Sequence, residues 1–90
     1  MAQAIVDPGD LRRFARSLKK FNADMQDRLT VMGAELAALG KTWRDQEHQK
    51  FAEEFEHHLK VISRFTEVTE QHIPYLLRKA ELIEEYLQQR

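Results

Sequence analysis

Hydrophobic and polar residues recur along this chain at helical intervals for almost its whole length. The first series is Leu11, Phe14, Leu18, Phe21, Met25, Leu29, Met32, Leu36 and Leu39, in steps of three and four that hold one face of a helix. The outer face carries Arg12, Arg13, Arg16, Lys19, Lys20, Asp24, Asp27 and Glu35. Ahead of the series, Asp7 fits an N-cap, Pro8 the first helical position, and Asp10 the first turn. Val6 and Leu11 have the spacing of a hydrophobic staple. Gly40 follows as a C′ residue would. The pattern predicts helix one over residues 8–39.

A second helix is predicted almost at once, over residues 43–73 after a turn at 40–42. Thr42 is the expected N-cap, and Thr42-Trp43-Arg44-Asp45 has the spacing of a capping box. Asp45 then falls near the positive end of the helix dipole. The apolar positions run Phe51, Phe55, Leu59, Ile62, Thr66, Thr69, Ile73, Leu76, Ala80, Ile83 and Leu87. Pro74 interrupts them, because a mid-helix proline removes a hydrogen bond and clashes with the carbonyl four residues back, that of Glu70. Helix two is therefore expected to kink or break near Pro74 and continue as a helical extension over 75–90.

Two long helices on so short a turn fold back on each other, which gives an all-α antiparallel two-helix hairpin and a single domain over 1–90. The arms are nearly equal up to Pro74, so the extension is expected to project past helix one. The expected core is the helix-one stripe against Phe51, Phe55, Leu59 and Ile62. Trp43 is expected to seal the turn end, against Leu36, Leu39 or a partner's helix. A second apolar band lies beside the stripe of helix two: Val61, Phe65, Val68, Tyr75, Leu82 and Tyr86. One narrow partner helix cannot cover both. The surplus points to a second molecule and a four-helix bundle made of two hairpins, with these six residues as the candidate interface. The competing placement packs them on a C-terminal segment folded back after Pro74.

Composition narrows the chemistry. With 32% charged residues, three Gly and two Pro, the chain has a helical rather than a β profile. A net charge of −1 gives no global attraction for nucleic acid. The lack of cysteine excludes disulfides, thiolate metal sites and a Cys nucleophile. No apolar run reaches the ~18 residues of a membrane span, and "MAQAIVDPGD" reads as leaderless. Glu54-x-x-His57 has di-iron spacing, but such a site needs two of these motifs and two further glutamates. Helix one offers only Glu35, off its stripe, so no metal or cofactor is expected. His58 and His72 sit at the edge of the apolar arc, where a histidine is ordinary. Nothing matches a phosphate loop, a nucleophile elbow or an acid/base pair, so no enzymatic activity is expected. The basic stretch Leu11–Lys20 is expected to face Glu67 and Glu70 within the hairpin, which disfavours a membrane-surface role.

The turn carries a resemblance. Trp43 between two long helices, Phe51 eight residues on, Phe55 a turn further, and a proline ahead of Leu11, Phe14 and Leu18 resemble the WXG-motif family of type VII secretion systems, the early secreted antigenic target-like proteins. The resemblance covers the whole chain in length and layout. It implies a non-enzymatic hairpin that pairs as a homodimer or a heterodimer with a similar small helical protein. It also implies export of the folded pair by an ATPase-driven machine, from the cytoplasm and without a cleaved signal peptide. Two positions depart from the pattern. Asp45 stands where the motif has glycine, and the C-terminal Tyr-x-x-x-Asp/Glu export signal is not met, since Tyr86 is followed four later by Arg90 and Tyr75 by Lys79. The alternative reading is an intracellular coiled-coil adaptor or regulatory subunit that uses the same apolar band. In either case Gly40, Thr42, Trp43 and Asp45 form the candidate turn motif.

Overall fold

The computed structural model describes residues 6–89, so residues 1–5 and 90 of the expected 1–90 domain lie outside the described part. The described residues form three helices and no strand: α1 (Pro8–Leu39), α2 (Gln46–Glu70) and α3 (His72–Gln88). At the start of α1 the Asp7 carbonyl accepts from the N–H groups of Asp10 and Leu11 at 3.0 and 3.2 Å, and the Asp7 carboxylate also takes the Asp10 N–H. This satisfies donors that the first helical turn leaves open.

The far end of α1 tightens instead of reversing. The N–H groups of Gly40, Lys41 and Thr42 bond to the carbonyls of Ala37, Ala38 and Leu39, three residues back. Gly40 has no positive φ, so the left-handed C′ glycine expected from the sequence is not what ends the helix. The start of α2 is also corrected, from Trp43 to Gln46. Thr42 does not cap α2; its hydroxyl turns back to the Leu39 carbonyl at 3.4 Å.

The interruption in the second arm falls at Gln71, three residues before the proline. Its N–H reaches only to the Val68 carbonyl, at 3.1 Å. Its backbone stays right-handed, with φ −72° and ψ −18°. Breaking there puts Pro74 in the first turn of α3, where a missing N–H costs no helical bond, and frees the Glu70 carbonyl from the ring.

Contacts divide the chain into two compact units. One joins α1 up to Asn22 with the chain from Val68 onward. Ala15, Asn22, Ile73 and Ala80 are buried there. The Asn22 amide donates to Glu70 at 2.9 Å, and the Thr69 hydroxyl donates to the Asn22 carbonyl oxygen at 3.2 Å. Nearer the chain ends, Arg12 makes a two-pronged bond to Glu84 at 2.5 and 2.8 Å. The segment after Pro74 therefore rests on the first turns of α1 and does not project beyond them. Arg12 of the basic stretch meets Glu84 rather than Glu67 or Glu70, while Arg13 pairs with Asp10.

The other unit, Ala23–Glu67, holds the turn. Leu36 and Thr66 are buried in it. Gln26 donates to the Thr66 hydroxyl at 2.5 Å, and that hydroxyl donates to the Ser63 carbonyl at 2.7 Å. The expected core is thus displaced sideways. Phe14, Phe21, Met32, Leu39, Phe51 and Ile62 are exposed, and the buried line on α1 runs through Ala15, Asn22 and Leu36. Small and polar side chains permit close approach of two helices, and a lone pair of helices buries only the strip at its contact.

Replacing Asn22 by Ala removes both interhelical bonds and is expected to lower unfolding stability by about 1–3 kcal/mol, read from urea midpoints at unchanged slope. Acidification gives a second test. Hydrogen bonding by Arg12, aided by its charge and opposed by partial burial, holds the Glu84 carboxyl below its ordinary range. Arg12 is shifted upward, chiefly by the same bond, and stays charged through the acid range. A carboxylate more acidic in the folded state adds stability above its unfolded pKa and loses it as pH falls through the folded value. Wild-type stability should therefore drop more steeply on acidification than that of Glu84→Gln. The difference should be small, because both partners are partly solvated.

Candidate functional site

The turn is built around an aspartate. Asp45 immediately precedes α2, and its carboxylate accepts the His48 N–H at 3.1 Å, the bond of an N-cap to the third helical residue. Its carbonyl accepts the same N–H at 3.1 Å. The residue that departs from the glycine of the motif is thus the cap of the second helix, a position one full turn from the N3 placement read off the sequence. Arg44 steadies the loop by donating from Nε to the Lys41 carbonyl at 2.9 Å.

Trp43, half-buried, lies against two rings of α2: His48, edge-on at 5.2 Å between centroids, and Phe51, tilted at 5.7 Å. Phe51 stacks in turn on Phe55 at 5.5 Å. Such offset and edge-on pairs add to the apolar burial of each ring. His48 was not singled out by the sequence. Its ring occupies the space beside Gly40, where an added Cβ would lie 3.0 Å from the imidazole Cε1. Gly40 therefore matters for space and not for backbone freedom. The one available signal was spacing, a histidine placed at the third position after a capping aspartate. His48 Nε2 is buried without a hydrogen-bond partner.

Of the six candidate interface residues, Val61, Phe65, Val68, Tyr75, Leu82 and Tyr86, each is between 40% and 61% exposed. The C-terminal segment does not fold back over them; Tyr75, Leu82 and Tyr86 belong to α3 itself and are exposed there. Phe14 and Phe21 on α1 are left uncovered as well. Among the described residues no group of three or more His, Asp or Glu is arranged to hold a metal ion. His57 stacks edge-on with His58 at 5.9 Å, away from any such cluster. No described helix is long and apolar enough to cross a membrane.

Two substitutions separate the roles in the turn. Asp45→Ala should cost about 1 kcal/mol and Asp45→Gly only a few tenths, since glycine is itself tolerated as a cap. Trp43→Ala should cost about 2 kcal/mol, below the range for a fully buried ring because Trp43 is half-exposed. Thermal or urea unfolding of the three variants against the parent checks the order.

A family model described as "Proteins of 100 residues with WXG" matches residues 3–86. No curated protein matches the chain. With the match running over almost the whole length and the tryptophan set in the turn between the helical arms, the chain belongs to the WXG100 family, small helical proteins of type VII secretion.

Proposed function

We propose that this chain works through pairing, as a small type VII secretion protein whose exposed apolar band docks on a similar helical hairpin to complete a four-helix bundle. The observation that carries the reading is the band itself. Six large apolar side chains at helical spacing stand in solvent on a chain whose family generally pairs with similar small helical partners. Exposed apolar surface in excess of what a small fold leaves uncovered supports an interaction site. The pair, rather than the single hairpin, is then the exported species, and it contacts the secretion ATPase as a folded unit. Neither Tyr75 nor Tyr86 begins a Tyr-x-x-x-Asp/Glu signal; in this reading the chain is exported with a partner that carries one. The protein performs no chemistry of its own.

The test is a charge placed in the band. Val68→Asp, at an exposed position of α2, should keep the helical circular dichroism of the parent and lose association with any hairpin partner by at least about ten-fold. Association that survives Val68→Asp and Tyr75→Asp together would place the interface elsewhere. Retention inside cells of a variant that no longer pairs, against release of the parent, links pairing to export.

A further inference from the structure

We propose that α3 is a strap that lifts from α1 by itself, hinged at Gln71 and latched toward its far end by the Arg12–Glu84 pair. The device is internal to one chain and goes beyond the pairing reading, on which it does not rest.

The hinge lies where the helical ladder is interrupted. The Gln71 N–H turns to the Val68 carbonyl three residues back, at 3.1 Å. The Gln71 side chain makes no capping bond to the first turn of α3, and Pro74 within that turn has no N–H to donate. On the near side of the junction the chain is pinned. Glu70 accepts from the Asn22 amide at 2.9 Å, and the Thr69 hydroxyl donates to the Asn22 carbonyl oxygen at 3.2 Å. Asn22 itself is almost fully buried. Both bonds come before Gln71 in the chain, so α3 can lift without breaking either.

Beyond the junction the hold is of a different kind. Ile73 and Ala80 are the buried residues of α3, Leu76 and Ile83 are half-buried, and the four follow one another at steps of three and four along one narrow line. Tyr75, Leu77, Leu82, Tyr86 and Leu87 stay exposed. Apolar contact along such a line is not directional and leaves the helix free to slide or peel. The line ends at Glu84, which takes both prongs of the Arg12 guanidinium at 2.5 and 2.8 Å. A two-pronged bond fixes position and orientation together, so this pair sets where α3 seats on α1. A thinly buried element behind an interrupted ladder opens as a unit, at lower cost than the whole molecule. Lifting it bares the strip of α1 around Ala15, which is buried within the unit that α3 shares with the first turns of α1.

Native-state hydrogen exchange on the full chain, read amide by amide by nuclear magnetic resonance, tests the strap and its latch. Amides of residues 76–84 should exchange through one shared opening, and those of residues 62–68 through a separate and rarer one. Glu84→Gln keeps the size of the side chain and removes its charge. It should speed exchange at 76–84 about five-fold, the scale of a partly solvated ion pair, and leave 62–68 unchanged. Glu85→Gln removes the same charge at an exposed neighbouring position and should change neither set. Exchange of both sets through one opening, speeded together by Glu84→Gln, overturns the strap, because the molecule then opens as a single body. Separate openings with no response to Glu84→Gln, or an equal response to Glu85→Gln, overturn the latch.

Discussion

Two helices approach closely only where the side chains between them are small or bonded to each other, and this chain meets that condition with few residues. Ala15 and Ala80 supply the space, and Asn22 and Thr66 supply polar side chains that are almost fully buried yet hydrogen-bonded across the helix pair. Buried polar groups of this kind are costly unless matched, so they favour one alignment over its neighbours. Sliding the arms by a turn would part the Asn22 amide from Glu70 and the Gln26 amide from the Thr66 hydroxyl. The same economy of space has a consequence for the large residues. Phe14 and Phe21, next to Ala15 and Asn22 in the chain, cannot enter a strip that narrow and remain at its edge. The uncovered apolar surface follows from how the arms touch.

The turn shows how a motif position can change chemistry and keep its place. Glycine at a helix start leaves the first N–H groups to water, whereas Asp45 bonds the His48 N–H and holds α2 in register with the loop. Gly40, Trp43, His48 and Phe51 then form one packed joint in which the absence of a side chain at position 40 is what admits the imidazole. The joint is local, built from residues that are close in sequence. The joint and the exposed apolar band are therefore separate features of one small protein. The band sits on α2 and α3, and the break at Gln71 preserves helical backbone angles between them.

Much of this was legible in the residue pattern. Three- and four-residue spacing marks both arms, Asp7 and Pro8 mark the start of α1, and the surplus band beside the second stripe is visible without coordinates, because periodicity is a property of the chain alone. The clash of Pro74 with the Glu70 carbonyl also follows from covalent geometry, and the chain yields at Gln71, immediately after that carbonyl. Spacing alone sets Thr66 and Thr69 within the apolar series of helix two. Their partners Asn22 and Gln26 carry no such signal, because the periodicity of α1 is marked by its large residues.

What the sequence determined by itself is the helical arms, the turn between them, and an apolar surface too large for one hairpin to bury. What only the tertiary structure decided is which strip of each helix is inside and which residues face each other. Ala15 rather than Phe14 lies at the contact, Glu84 rather than Glu67 or Glu70 answers Arg12, and Asp45 rather than Thr42 caps α2. The physical reason is the same in each case. Period and propensity are set by neighbours along the chain, whereas the rotation and sliding of one helix on another are set by the fit of side chains distant in sequence, and a few small or bonded residues settle that fit.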